Sequence, residues 1–256
     1  IILCNNSWAI LMDFIISLKP SSETNTLSVN LSTLSFKNYK YIFENFPFTR
    51  WMLNSVFIAL VCTIGNLVFN SMAGYALARI NFPGKKTIFL AVLGMMMIPG
   101  QVVMVPTYMI LSKLGWINTY KGLTIPFLTS MFGVFLMRQF FLTIPKELEE
   151  SAAIDGLSRF GTFFKIIIPT ATTALTTQFI LMFTGNWNSF LWPNLLTASD
   201  EMYTLPVGLN SFYGQYFQMW DQVLAGAMLI SLPMILVFLI FQKNFIKGIA
   251  STGGKE

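Results

Sequence analysis

The chain has 256 residues, of which 54% are hydrophobic and 11% charged, and its mean hydropathy is +0.63. A soluble domain carries about 25% charged residues, so a soluble fold of this length would lack the polar surface to cover itself, and a membrane protein is expected. The net charge of +5 does not mark a nucleic-acid binder, because Lys and Arg stand in ones and twos between apolar runs rather than in a cluster.

Histidine is absent altogether. That removes Ser-His-Asp and Cys-His catalysis and most zinc sites, so no catalytic residue and no metal site is expected. The two cysteines, Cys4 and Cys62, sit in apolar context and form no disulfide framework or CxxC pair. The chain starts at Ile1 rather than Met, and sequence upstream of it is expected.

A membrane-spanning helix needs roughly 20 apolar residues. Residues 1–18 read as the outer part of a first span with its beginning cut off, although they include Cys4, Asn5, Asn6, Ser7 and Asp13. Asp13 is expected near the outer boundary, where a carboxylate costs less than at the bilayer centre. A polar segment, 19–50, follows. The stretch 52–78 is free of charge and forms the second span. The third is 87–112, where Pro99 and Pro106 remove backbone donors and predict a packing kink. The fourth covers 122–144, past the single Arg138. The run 166–199 is charge-free but too long for one helix, so a fifth span should leave the membrane near Trp192-Pro193. The last is 222–242.

The fold class expected is therefore all-α: a single polytopic transmembrane domain over 1–256, with about six helices. The richer set of basic ends (Arg79, Lys85, Lys86, Arg138, Lys146, Arg159, Lys165, Lys243, Lys247 and Lys255) belongs in the cytoplasm by the positive-inside rule. That orientation makes 145–165 a cytoplasmic loop and 19–50 and 193–221 extracytoplasmic segments. Both termini are then cytoplasmic.

One loop concentrates acids. The stretch "PKELEESAAIDG", 145–156, holds Glu147, Glu149, Glu150 and Asp155, four of the chain's eleven carboxylates. Pro145 suits the first position of a helix, and the glutamates complement the positive end of its dipole. Ser151, Ala152 and Ala153 are small enough to let another surface approach. Gly156 can take a positive φ and stop the helix. The segment predicts a helix of about two to three turns, then a sharp break, then a return to the membrane through "LSRFGTFFKIIIP".

This segment resembles the cytoplasmic signature of bacterial ABC importer permeases: Glu-Ala-Ala, three residues, Gly, nine residues, Ile-x-Leu-Pro. Here the signature is Glu150-Ser151-Ala152, then Gly156, then Ile166-Ile167-Ile168-Pro169, with Ser151 for Ala and Ile168 for Leu. "NWNSFLWPNLL", "MYTLPVGL" and "FQKNFIKGIASTGGKE" resemble the carbohydrate-uptake branch, and within it the second, maltose-type permease subunit.

The resemblance implies a type I ABC importer permease fold in a bacterial cytoplasmic (inner) membrane. It implies the translocating subunit of a binding-protein-dependent oligosaccharide importer rather than an enzyme. The implied partners are a second homologous permease (forming a heterodimer), two ATP-binding subunits, an extracytoplasmic solute-binding protein and the lipid bilayer, with no nucleic acid. ATP and Mg would be bound by the partner ATPase, leaving no cofactor in this chain. The loop 145–165 would carry the coupling helix. In that reading Glu150 makes a charged contact with the ATPase, Ser151 and Ala152 allow close approach, and Gly156 lets the chain turn. Asp155, Ile166 and Pro169 complete the coupling set. The tail from Lys247 would reach toward the ATPase dimer. The stretch "PGKKT", 83–87, is not a phosphate loop, because Arg79 stands where its first glycine is needed.

Aromatic faces and amides together suit sugars, and Asn186, Trp187, Asn188 and Trp192 are the candidates for a substrate path. Trp187 and Trp192 also read as interfacial anchors, and the amides as interhelical glue. Asn66, Asn70, Gln101 and Gln178 are either path residues or interhelical glue. The stretch 205–222 is either a docking surface for the binding protein or an interfacial helix. Other readings are an importer of a polyol or glycerol phosphate, and a secondary transporter. The latter calls for titratable groups at mid-membrane, which the second to sixth spans lack apart from the boundary Arg138. An intramembrane enzyme would need a nucleophile–base pair or a metal cluster, and the spans offer neither.

Overall fold

A computed structural model describes residues 11–20, 33–215 and 220–253, with the side chains of 211–220 and 242–253 outside the description. The readings placed on Cys4, Asn5, Asn6 and Ser7, on 21–32 of the first polar segment, on the aromatic side chains of 211–220 and on the side chains of the basic tail lie outside the described residues.

Every element among the described residues is a helix. They are α1 (11–17), α2 (Lys37–Asn45), α3 (Phe48–Arg79), α4 (Lys85–Met96), α5 (Met104–Lys113), α6 (Tyr120–Thr124), α7 (Met131–Thr143), α8 (Glu147–Ile154), α9 (Arg159–Thr162), α10 (Ile168–Thr170), α11 (Thr172–Trp187), α12 (Leu191–Leu196), α13 (Leu205–Gln215) and α14 (Trp220–Gly253). The chain divides into two units, 1–57 with 188–237 and 58–187 with 238–256.

In the first unit, backbone groups at chain breaks find side-chain partners. Asn38 Nδ2 donates to Ser17 O at 2.7 Å and Lys19 O at 3.0 Å, which ties the end of α1 to α2. Lys19 is buried rather than sitting at a solvated boundary. Trp51 Nε1 donates to Asp200 O at 2.8 Å, and Asn54 Nδ2 donates to Glu201 O and Tyr203 O, both at 2.8 Å. Leu205 N donates to Ser55 Oγ at 2.7 Å. The first two turns of α3 thus hold the loop that leads into α13.

Among the described residues three helical stretches are long and apolar enough to cross a membrane: Phe48–Arg79, Tyr120–Thr143 and Asp221–Phe241, the last with a mean hydropathy of 2.7. A fourth span results if Arg159–Thr170 and Thr172–Trp187, bent by 78°, are counted as one. The expected third span is instead two helices, α4 of 12 residues and α5 of 10, separated by turns. Ile98 precedes a proline, which disfavours the helical region, and Gly100 follows. Pro106 makes no kink. It is the third residue of α5, in the first turn, where a helix has no use for the missing N–H.

In the second unit, amides on α3 repair the break before α7. Asn66 Nδ2 donates to Cys62 O at 2.8 Å and to Phe127 O at 2.7 Å. Asn70 Oδ1 accepts from Thr129 Oγ1 at 2.9 Å and from Ser130 N at 3.1 Å. Gln178 Nε2 on α11 reaches Asn66 O at 3.3 Å. Backbone groups freed inside a bilayer must be satisfied by protein, so Asn66, Asn70 and Gln178 act as glue between helices. Gln101 is exposed in the turn between α4 and α5. Close approach of α3 and α7 depends on Gly74, where a Cβ would meet Arg138 N at 2.8 Å. Below this contact lies a core of Tyr75, Met137, Phe141, Ile144, Phe163, Ile167, Ala171 and Ala174.

Candidate functional site

The acidic segment folds as an eight-residue helix, α8, or about two turns. Its N-cap is Lys146, whose side chain makes no capping bond, and Glu147, Glu149 and Glu150 occupy the first turn. Carboxylates there offset the uncapped N–H groups and the positive helix end. Pro145 stands one residue before the N-cap, not at the first helical position. At the other end Gly156 has φ +78°. Its N–H reaches Ala153 O at 3.1 Å, and Leu157 N reaches Ala152 O at 2.9 Å. This pair of bonds is a Schellman stop, which needs a left-handed residue. Ser158 then caps α9 by accepting from Gly161 N at 3.2 Å.

The 3.6-residue period divides α8 into two faces. Ala152 is buried at 3% exposure, against the chain itself. Glu149, three residues earlier on the same side, points inward too: its Oε1 lies 3.1 Å from Arg79 Nε, at the end of α3. The same guanidinium donates through Nη2 to Ile144 O, and Tyr75 lies beside the Glu149 carboxylate. On the other face Glu147, Glu150 and Ser151 are exposed, as are Asp155 and Gly156 at the end of the helix. Large apolar groups are exposed too, with Ile154 at 86% on that face, Leu148 at 40% on its flank and Phe160 at 70% on α9.

The platform beneath is aromatic. The Tyr75 ring meets Phe141 edge-on at 5.9 Å and Phe163 at 5.0 Å, and all three are buried. Ile144, just ahead of α8, and Ile167 complete it.

Two of the residues grouped with the coupling helix, Ile166 and Pro169, lie at a bend. Ile166 lies in a π-helical turn, Phe163–Ile167, where Ile168 N donates to Phe163 O. Pro169 follows within α10 and has no N–H to continue an α-helical ladder. Hydroxyls take up carbonyls around it: Thr170 Oγ1 donates to Ile166 O at 2.7 Å, and Thr172 Oγ1 to Pro169 O at 2.6 Å. The 78° turn between α10 and α11 results.

Of the expected site residues, Glu150, Ser151, Asp155 and Gly156 share one exposed surface. Ala152, expected to allow close approach of a partner, packs inward against the chain itself. The exposed small residue is Ala153. Ile166 is half-buried, and Pro169, though exposed, belongs to the bend. The sequence reading missed Arg79, Tyr75, Leu148, Ile154 and Phe160. The spacing of Glu149 and Ala152 on one side and of Glu147, Glu150 and Ile154 on the other carried the signal for the two faces.

The substrate-path candidates divide. Asn186 Nδ2 faces Thr63 Oγ1 at 3.4 Å. Trp187 is 1% exposed and stacked on Phe183 at 5.8 Å, so it is a core residue and neither a sugar platform nor an interfacial anchor. Asn188 is exposed, and Trp192, on α12, is half-buried. Among the described residues no group of three or more His, Cys, Asp or Glu converges on a point that could hold a metal.

The family described as "Binding-protein-dependent transport system inner membrane component" matches residues 70–251. The arabinooligosaccharides transport system permease protein AraQ of Bacillus subtilis (strain 168) is 40% identical over 244 residues, covering 93% of this chain and 87% of the relative. The sn-glycerol-3-phosphate transport system permease protein UgpE of Pectobacterium atrosepticum is 35% identical over 208 residues, covering 80% of this chain and 74% of the relative. Among solved structures, a chain of a bacterial ABC transporter involved in import of the acidic polysaccharide alginate superposes with a TM-score of 0.82 at 24% identity. That superposition covers 93% of this chain and 90% of the other, and it shows the fold.

Proposed function

The chain belongs to the binding-protein-dependent transport system inner membrane component family, and from that premise we propose that it imports an oligosaccharide, using α8 as the helix that a separate ATP-binding subunit moves. It is a multi-pass permease subunit, not a catalytic one. It works beside a second, homologous permease, two ATP-binding subunits that hold ATP and Mg, and an extracytoplasmic binding protein. In this reading α8 and both termini face the cytoplasm.

The observation that carries the reading is the outer face of α8. Ile154 stands exposed on the same side as Glu147 and Glu150, and Leu148 and, on α9, Phe160 are exposed as well, while Ala152 and Glu149 fix the opposite face to the chain's own core. Large apolar groups left exposed on a helix that also carries exposed acids suit a protein partner.

Similarity to a relative named for arabinooligosaccharides supports an oligosaccharide as cargo. Similarity to one named for sn-glycerol-3-phosphate keeps a phosphorylated polyol as the second reading. Asn188 and Trp192 remain the side chains of the "NWNSFLW" stretch suited to touching cargo.

Two measurements test this. Uptake of labelled arabinose oligosaccharides that is not displaced by excess sn-glycerol-3-phosphate supports the first cargo, and the reverse pattern supports the second. Glu150→Lys should abolish uptake while the chain stays at its normal level in the membrane. Normal uptake in that variant contradicts the role of α8.

A further inference from the structure

Arg79 is the last residue of α3, and its side chain is only 6% exposed. A buried guanidinium is tolerated only where its charge and its donors are met. Here one group answers the charge and another accepts a hydrogen bond, although Nε and Glu149 Oε1 make no hydrogen bond to each other, and both groups belong to the segment that presents α8. One is Glu149, on α8 itself, with Nε and Oε1 3.1 Å apart as an ion pair. The other is Ile144 O, just past the end of α7, which accepts from Nη2. The planar fork of arginine can serve both at once, whereas a lysine ammonium is a single point charge. Tyr75, one turn back on α3, flanks the same carboxylate and is itself locked between Phe141 and Phe163.

The short links at either end of α8, 144–146 and 155–158, are where a push on this helix would be absorbed as local bending. Arg79 spans the first of these links and clamps the helix beyond it.

We propose that Arg79 is a positioning residue for energy coupling: its ion pair with Glu149 and its hydrogen bond to Ile144 O make α8 and the end of α3 one mechanical unit. A displacement of α8 then passes into a 32-residue helix that crosses the membrane. This rests on the reading of α8 as the ATPase-docking helix. The inference adds which residue carries the motion onward, and through which atoms.

The test uses the complete importer (this chain with its partner permease, ATP-binding subunits and binding protein) in proteoliposomes, measuring ATP hydrolysed per solute imported. Arg79→Gln and Glu149→Gln should each raise that ratio about fivefold, the low end of coupling between sites, with hydrolysis continuing. Arg79→Lys should fall between. A merely structural role would lower uptake and hydrolysis together and leave the ratio unchanged, and that result overturns the proposal. If Arg79→Gln does not assemble, Glu149→Gln decides, because that side chain is the more exposed at 22%. A parallel Ser151→Cys variant, otherwise unaltered, should cross-link to the ATP-binding subunit. Cross-linking with an unchanged ratio in Glu149→Gln overturns this inference alone. Absence of cross-linking overturns the docking reading and this inference with it.

Discussion

Asn70 Nδ2 donates to Asn66 Oδ1 across 3.0 Å, one turn apart on α3. The bond orients both amides, so that Asn70 Oδ1 can receive Ser130 N and Thr129 Oγ1 while Asn66 Nδ2 reaches Phe127 O. Asn70→Leu strips two donors of their acceptor where no water replaces it. The expected loss is about 1–3 kcal/mol of stability, read as a lower unfolding midpoint of the purified complex in detergent. An unchanged midpoint would mean that the α6–α7 break is held by something else.

Gly208 on α13 lies against the face of Trp51. A Cβ there would stand 2.2 Å from Trp51 Cε3 and 2.4 Å from Cδ2. The indole cannot swing away without losing its bond to Asp200 O. Gly208→Ala should therefore destabilise by about 1–3 kcal/mol, the usual range for overpacking. Gly185→Ala, with nothing near its Cβ, is the control. Equal midpoints for the two variants would count against the packing described.

Gly156 differs from Gly208 in kind. Nothing lies within 4 Å of a Cβ built on it, so only the backbone matters. An alanine at φ +78° costs about 1–2 kcal/mol, and Asn costs less. Proline cannot adopt that φ, and it also removes the N–H that bonds Ala153 O. Uptake should fall in the order Gly, Asn, Ala, Val, with Gly156→Pro at background and chain levels in the membrane unchanged. A flat series would show that the reversal after α8 has no part in transport.

Ile154 tests the partner face without disturbing the fold. At 86% exposure it contributes little to this chain's own stability, and Ile154→Glu should change stability by less than about 0.5 kcal/mol. The variant should still reduce retention of the ATP-binding subunit during purification, since a desolvated apolar contact becomes a buried charge. Full retention would move the docking surface away from α8.

Much of this was legible in the sequence because membranes and glycine stops follow simple rules. Charge-free runs located α3 and the body of α14, and the order Pro, acids, small residues, Gly gave α8 to within a residue or two at each end. What stayed hidden depended on three-dimensional partners. Three glutamates in the first turn are equivalent under a dipole argument, and only the position of Arg79 turns Glu149 inward. Ala152 and Ala153 are identical in composition, yet one packs on the core and the other faces out. Of the two prolines expected to kink the third span, Pro99 stands at a break and Pro106 does not. Pro106 lies in the first turn of a helix, an outcome that does not follow from counting prolines in an apolar run. Trp187 looked interfacial by residue type and is buried because Phe183, one turn earlier, stacks on it.

The central claim is that a separate ATPase drives this chain through α8. The most direct measurement is gentle detergent purification of the chain from its own membrane, with mass spectrometry of what accompanies it. The account predicts an ATP-binding subunit and a second homologous permease in stable association, with the ATP-binding subunit lost from Ile154→Glu. Recovery of the chain alone, or only with copies of itself, would contradict it.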